Sequence, residues 1–140
     1  MTSSQIELVQ ASFQMIQPVA PDVARMFYSR LFEIDPALRP MFRGDLEEQG
    51  RKLMQMLGYA VGALRRLDQI VPAVEDLGRR HAHYGVRDED YTKVAEALLW
   101  TLTKCLGASF TAEMCEAWIA VYGAMTAAMK RGASAVATAA

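Results

Sequence analysis

The sequence contains few of the features that mark common functional classes. Two cysteines in 140 residues are too few for the disulfide framework of a small secreted domain, and they lack the spacing of a metal site. The net charge of −1 offers no general attraction for a nucleic-acid backbone. No basic and apolar leader opens the chain, and no segment approaches the roughly 18 uncharged apolar residues of a membrane span. We therefore expect a cytoplasmic protein with no nucleic-acid partner and no membrane span.

Apolar residues make up 52% of the chain and charged residues 22%, which is typical of a globular domain with a sizeable core. The chain carries no strand signal, no glycine-rich phosphate loop, no GxSxG motif and no internal repeat. Apolar residues instead recur at steps of three and four, the period of an amphipathic helix. The sequence therefore predicts an all-α domain with six long or medium helices and one short helix.

Helix boundaries follow from capping residues, prolines and glycines. Ser4 and Glu7 form a capping box at the first helix. Pro72 suits a first helical position, and Gly85 and Gly132 suit positions just after a helix. The predicted helices cover residues 4–17, 21–34, 36–41, 45–66, 72–84, 89–106 and 112–131. We expect a folded domain over residues 1–132 and a disordered tail over residues 133–140.

The two histidines of the chain, His81 and His83, lie on the same short helix. His81 continues an apolar stripe with Val74, Leu77 and Tyr84. Residues two apart lie about 200° apart around a helix axis. One imidazole therefore enters the interior and the other meets solvent. A core histidine hydrogen-bonded to a backbone carbonyl is the ordinary interpretation of such a residue.

Two more polar side chains fall on otherwise apolar helix faces. Tyr28 lies on the stripe of the second helix, where a buried hydroxyl needs a hydrogen-bond partner. Gln49 lies on the stripe of the helix predicted from Asp45, where its amide must be hydrogen-bonded or face a cavity. Together with His81 they come from three helices that could meet in one pocket. A tyrosine bonded to a nearby carbonyl is an equally ordinary interpretation.

The residue types on these inner faces exclude several kinds of site. No carboxylate joins them, so paired acid–base catalysis has no support, and neither cysteine has a local histidine partner. One histidine without further ligands cannot hold zinc. A single histidine can hold a haem iron, because the porphyrin supplies four ligands. An all-α chain with one inward histidine and a tyrosine–glutamine pair is what a haem pocket requires.

Four stretches, in matching order and spacing, resemble bacterial single-domain globins related to the haem domain of flavohaemoglobins. They are FYSRLFEIDPALRPMF, QGRKLMQMLG, LGRRHAHYGVRDEDY and AWIAVYG. The resemblance covers roughly residues 5–131. It implies a globin fold of six to eight helices enclosing haem b, iron protoporphyrin IX.

The resemblance assigns roles by position. His81 matches the proximal iron ligand, Phe42 the loop aromatic stacked on the porphyrin, and Tyr91 a proximal-side tyrosine. Tyr28 and Gln49 match the distal pair. The other haem-contacting positions are Leu53, which matches the apolar residue over the iron, and Leu57, Leu77, Val86 and Val94.

The resemblance also implies a chemistry. Tyr28 and Gln49 would both donate hydrogen bonds to a dioxygen ligand, each worth roughly 1.5–3 kcal/mol. Dioxygen would then leave slowly, which suits reaction with nitric oxide better than delivery. Glutamine in place of a distal histidine removes the usual internal iron ligand, and Lys52 or Tyr28 would be the alternative internal ligand.

Two departures from the flavohaemoglobin pattern bear on activity. The chain stops where flavohaemoglobins continue into reductase domains, so we expect an external electron donor. Ala133 stands where those proteins have a glutamate that completes a network with the proximal histidine and tyrosine. Without that acid, His81 should push less electron density onto iron, so strong peroxidase-like activity is not expected.

The function expected from the sequence is tight oxygen binding that supports nitric oxide dioxygenation, with an external reductase as partner. Dioxygen, nitric oxide and other diatomic molecules are the expected ligands. One alternative is oxygen storage or scavenging without turnover, and another is a gas sensor with a separate output partner. A haem-free helical interaction module is a further alternative, and stoichiometric haem binding would separate it from the others.

Overall fold

The computed structural model describes residues 1–42 and 44–139, with side chains described as far as residue 134. Six α-helices follow one another: α1 (Ser3–Ile16), α2 (Ala20–Ile34), α3 (Leu46–Gly62), α4 (Leu67–His83), α5 (Asp88–Leu106) and α6 (Ala112–Ala139). Short 3₁₀ helices cover Gln17–Val19, Pro36–Met41, Leu64–Arg66 and Gly107–Ser109. These described residues include no strand, which confirms the all-α prediction. None of their helices is long and apolar enough to cross a membrane.

The first helix begins earlier than predicted. Its N-cap is Thr2 and not Ser4. Thr2 Oγ1 accepts a hydrogen bond from Gln5 N at 3.1 Å, and Gln5 Oε1 accepts one from Thr2 N at 2.9 Å. The prediction was wrong because glutamine serves as well as glutamate at the third helical position, so two overlapping capping boxes compete. Glu7 instead pairs with Arg65 at 3.3 Å.

The middle of the chain divides differently from the prediction. α3 ends at Gly62, and the 3₁₀ helix Leu64–Arg66 takes the place of its last predicted turn. α4 begins at Leu67, so Pro72 is an internal residue of the helix. The added turn buries Ile70, which is 4% exposed, in a cluster with residues of α6. That burial offsets the hydrogen bond that a proline nitrogen cannot donate.

Two glycines end helices where the sequence predicts. Gly85 follows α4 with φ +90°, and Gly107 follows α5 with φ +54°. Both angles lie in the left-handed region, which only glycine adopts without steric cost. Gly85 therefore reverses the chain directly after the helix that carries both histidines.

α6 continues through Gly132, where the sequence predicts its end. A Cβ on Gly132 would overlap the main chain of Glu75 in α4, and a Cβ on Gly78 would overlap the main chain of Met129. Gly132 is therefore a packing residue that lets the backbones of α4 and α6 touch. The division between a domain over residues 1–132 and a disordered tail stays a prediction, because most side chains of that tail lie outside the described part.

The main core forms between α1, α2, α3, α5 and α6, and a smaller cluster holds α4 on α6. Trp118 Nε1 of α6 donates a buried hydrogen bond to Ser12 Oγ of α1 at 2.8 Å. α2 packs mainly on α5 and α3, whereas α4 packs mainly on α6. The helices that carry Tyr28 and His81 are thus fixed by different neighbours.

Candidate functional site

His81 lies in the last helical turns of α4 and is half-buried, whereas His83 is exposed. Its Nδ1 lies 2.8 Å from Leu77 O, and because a carbonyl oxygen only accepts, Nδ1 carries the proton and donates. The lone pair of the neutral ring is therefore on Nε2. Burial, and then the charge of Arg80, lower the pKa of His81 below its ordinary value. The structure thus presents a neutral imidazole with one nitrogen able to bind a metal.

The turn after His81 fixes its main chain. Val86 N and Tyr84 N both donate to His81 O at 3.1 Å. Tyr84, which the sequence placed on the apolar stripe, is 70% exposed because it is the C-cap residue, where the helix leaves the surface of α6. Val86 is half-buried on the far side of Gly85.

Tyr28 and Phe42 are in contact across the segment that separates them in the chain. Their ring centroids lie 5.2 Å apart, edge to face at 67°. Phe32 packs on both rings, at 6.0 Å from Tyr28 and 5.5 Å from Phe42. Arg39 Nη1 donates to Phe42 O at 2.9 Å and so holds the loop. These three rings, Tyr28, Phe32 and Phe42, form an aromatic cluster at the carboxyl half of α2.

Burial strengthens the hold of Tyr28 on its proton. The residue is 6% exposed, and burial raises its pKa to about 12. A tyrosine hydroxyl is neutral near pH 7 even at its ordinary pKa, so Tyr28 keeps a proton that it can donate well into the alkaline range.

α3 crosses α2 at close range beside Tyr28. A Cβ on Gly50 would lie 2.8 Å from Ala24 Cβ and 3.7 Å from Tyr28 Cε2, so a larger residue would push the helices apart. Gln49 directly precedes this contact, and Leu53 follows it by one turn; both are half-buried. The fold thus brings the helix with Gln49 and Leu53 against the helix with Tyr28.

A groove of about 1370 Å³ runs between α1, α2 and α3 and reaches Tyr28 and Phe32. Its rim carries charged side chains, among them Arg25, Glu48 and Arg51. A diatomic molecule is far smaller than this groove. Tyr28 is among the residues that line the groove.

Tyr91 is buried at the start of α5, near two residues to which the sequence gave no role. Tyr122 Oη donates to Tyr91 O at 2.5 Å, and Lys130 Nζ lies 5.7 Å from the centre of the Tyr91 ring. Burial, and then the charge of Asp88, raise the pKa of Tyr91. The bond between Tyr122 and α5 depends on tertiary packing that no residue spacing encodes.

Six of the apolar residues assigned to haem contact are half-buried: Phe42, Leu53, Leu57, Leu77, Val86 and Val94. Four of them, Phe42, Leu53, Leu57 and Val94, pack against the main core. Half-burial leaves part of each apolar side chain uncovered by the protein, so a further apolar group can contact it.

The donor set fits a haem as well. His81 offers one neutral nitrogen, which suits an iron that already has four porphyrin ligands. Among the described residues, no group of three or more histidine, cysteine or acidic side chains could hold a metal ion. A metal beside His81 would therefore need the further ligands that a macrocycle provides.

An all-α fold with such a histidine and a buried tyrosine is typical of helical haem-binding proteins. A sequence model of the globin family matches residues 25–129. The chain belongs to the globin family, whose members generally bind haem and diatomic gases.

Neuroglobins are among the relatives that match the sequence of this chain. Neuroglobin from Tetraodon nigroviridis is 29% identical over 146 residues, which cover 94% of this chain and 92% of that protein. Neuroglobin-1 from Oncorhynchus mykiss is also 29% identical over 146 residues, with the same coverage of 94% and 92%. Each spans nearly the whole of the present chain.

Two solved structures have closely similar folds. An engineered carbene transferase from Rhodothermus marinus, described as a candidate nitric oxide dioxygenase, superposes with a TM-score of 0.85 at 23% identity, over 100% of this chain and 99% of that chain. A bacterial globin from Campylobacter jejuni superposes with a TM-score of 0.84 at 22% identity, over 98% and 99%. At these identities the structures show the fold alone.

Proposed function

We propose that this chain is a haem-b globin that holds dioxygen tightly and supports its reaction with nitric oxide, with a separate reductase as electron donor. His81 binds the iron through Nε2. The haem-lining residues are Phe42, Leu53, Leu57, Leu77, Val86, Tyr91 and Val94. The activity belongs in the cytoplasm, where Cys105 and Cys115, both free thiols here, stay reduced.

The protonated Tyr28 hydroxyl, held beside Phe42 in the aromatic cluster, is the observation that carries this proposal. A buried phenol on an apolar wall is an expensive group to place without a use. Here it supplies a hydrogen-bond donor next to the loop aromatic that stacks on the haem. Gln49 supplies a second donor from the helix packed on α2.

These positions assign a separate role to the haem, to the two distal residues and to the apolar residues. When bound, the haem would supply redox-active iron chemistry, with the separate reductase as the source of electrons. Tyr28 and Gln49 hold the gas ligand by hydrogen bonds and lengthen its stay until nitric oxide arrives. Phe42 and the leucines of α3 exclude water from that space. The groove beside Tyr28 admits small ligands.

A second candidate function, oxygen storage without turnover, is favoured by the surroundings of His81. Its Nδ1 donates to the neutral Leu77 carbonyl and not to a carboxylate. Ala133, half-buried in α6, stands where flavohaemoglobins have a glutamate. A ring with a neutral partner gives less electron density to iron than one bonded to a carboxylate, which weakens redox turnover more than gas binding.

Optical spectra of the purified protein test haem binding and the roles of the histidines. The protein is reduced without oxygen and then exposed to it, together with the variants His81→Ala and His83→Ala. We expect a five-coordinate ferrous spectrum that converts to a stable oxygen complex in the wild type and in His83→Ala, and loss of stable haem in His81→Ala. A six-coordinate ferrous spectrum would point to Lys52 or Tyr28 as an internal ligand. No haem band after addition of haem would refute the proposal.

The distal roles are tested by the rate of oxygen dissociation from Tyr28→Phe and Gln49→Leu. Each loss of a hydrogen bond to a charged acceptor should speed release roughly tenfold to hundredfold. Tyr59→Phe, an exposed tyrosine on α3, is the matched control and should release oxygen like the wild type. Unchanged rates in both distal variants would refute the distal assignment. Formation of more than one nitrate per haem, with nitric oxide, dioxygen and a reductant supplied together, separates dioxygenation with turnover from storage.

A further inference from the structure

Four charged side chains meet where the chain enters the 3₁₀ helix Pro36–Met41 and where α5 begins. They are Asp35, Arg87, Asp90 and Lys93, and we term them the corner cluster. Lys93 Nζ lies 2.6 Å from Asp35 Oδ2 and 3.6 Å from Asp90 Oδ1. Arg87 Nη2 lies 3.6 Å from the same Asp90 oxygen. Lys93 therefore joins a carboxylate of its own helix to one at the end of α2.

Asp90 makes the cluster costly to disturb. Its side chain is only 3% exposed, a level that a charged residue seldom reaches without a partner. Oδ2 accepts a hydrogen bond from Arg87 N at 2.9 Å. Oδ1 has no hydrogen-bond partner among the described residues and has only the two cations nearby. Removal of the Lys93 charge would leave this buried carboxylate with Arg87 as its one nearby cation among the described residues, at 3.6 Å.

One end of the corner cluster controls the segment that leads to Phe42. Asp35 Oδ1 accepts a hydrogen bond from Ala37 N at 3.0 Å and caps the 3₁₀ helix, while Oδ2 is bound by Lys93. This helix leads directly to Phe42, which packs on Tyr28. The Lys93 ammonium thus anchors the carboxylate from which the aromatic loop departs.

The other end of the corner cluster adjoins the turn after His81. Arg87 is the N-cap residue of α5 and directly follows Val86. Val86 N donates to His81 O at 3.1 Å. Arg87 therefore connects the part of α5 that carries Asp90 and Lys93 to the backbone segment that is hydrogen-bonded to His81.

We propose that Lys93 is a positioning residue that fixes the segment bearing Phe42 relative to the turn after His81. Lys93 thereby fixes how the two sides of the haem site lie relative to each other. The expected effect of Lys93 on bound gas ligands rests on the proposed function. Lys93 acts through the main chain at both ends and touches neither Phe42 nor His81. Its charge is the active element, because a neutral side chain cannot hold Asp35 and Asp90 at once.

Lys93→Met tests this role, because methionine keeps an unbranched side chain and removes the charge. Lys104→Met is the matched control: Lys104 is exposed on the same helix and forms no ion pair with the described residues. In the haem-free protein, hydrogen exchange should rise over residues 36–42 and over residues 84–90 together in Lys93→Met only. In the haem-loaded protein, the carbon monoxide stretching frequency should shift and oxygen release should change by about twofold or more.

Two outcomes would overturn the inference. One is faster exchange over residues 84–90 alone with an unchanged carbon monoxide frequency, which would make Lys93 a local stabiliser of α5. The other is additive behaviour of Asp35→Asn and Lys93→Met in a double-mutant cycle, because a joint action requires coupling. Asp35→Asn also tests the pair if Lys93→Met does not fold. A wild type that binds no haem would contradict the proposed function, while the exchange measurement still decides whether Lys93 couples the two segments.

Discussion

Tyr28 is buried and Tyr122 is half-buried, and burial raises the pKa of each phenol to about 12. In the unfolded chain a tyrosine ionises near pH 10. Above that pH the unfolded chain releases protons that the folded chain keeps, so ionisation favours unfolding. The stabilising contribution of these two neutral hydroxyls is therefore complete below about pH 10 and is lost as the pH rises toward 12.

We expect the free energy of unfolding to fall steeply in this alkaline range, and Tyr122→Phe to reduce the slope because one raised pKa is removed. Urea denaturation followed by circular dichroism, at a series of pH values up to about 11, measures the effect. Tyr84→Phe is the control, since that side chain is 70% exposed. Parallel curves for Tyr122→Phe and the wild type would contradict the assignment of the slope to buried phenols.

At the scale of the element, α4 depends on a backbone contact with α6 at two glycines. Gly78→Ala places a methyl group into the main chain of Met129, so the helices must separate. Overpacking of this kind typically costs about 1–3 kcal/mol of stability. Chemical denaturation measures that loss, and faster haem loss should accompany it because α4 carries His81.

Gly123→Ala is the matched control for this prediction. Gly123 lies in α6, is exposed, and would bring its Cβ near no atom within 4 Å. Alanine in the interior of a helix is more stable than glycine by roughly 0.5–1 kcal/mol. The same substitution should therefore stabilise at residue 123 and destabilise at residue 78. Stabilisation at both residues would contradict the close contact of α4 with α6.

At the scale of the whole molecule, the hydrogen bond from Trp118 to Ser12 links the first and last helices through the core. Both residues are almost fully buried, Ser12 at 0% and Trp118 at 2% exposure. Ser12→Ala leaves the indole N–H without its acceptor, a loss that costs about 1–3 kcal/mol. Thr103→Ala, at an exposed hydroxyl bonded only to Leu99 O of its own helix, should change stability much less. Equal effects in thermal unfolding would show that the link between α1 and α6 contributes nothing.

The sequence predicted correctly the features that depend only on the face or the end of a single helix. The step from Leu77 to His81 placed the inward histidine, and His83 is exposed as that geometry requires. Gly85 was placed correctly because a left-handed turn has few alternatives to glycine. The N-cap of α1 was misplaced, because two capping boxes overlap and local chemistry barely distinguishes them.

The sequence by itself determined the helical class, the order of the helices and the residue types available to a haem pocket, because helix periodicity and capping act over a few neighbours. Only the tertiary structure decided that Pro72 lies inside α4, that Gly132 packs on Glu75, and that Phe42 meets Tyr28. The Lys93 contacts with Asp35 likewise join distant segments. The physical reason is the same in each case: burial against another helix outweighs the local preference of a proline, a glycine or a charge.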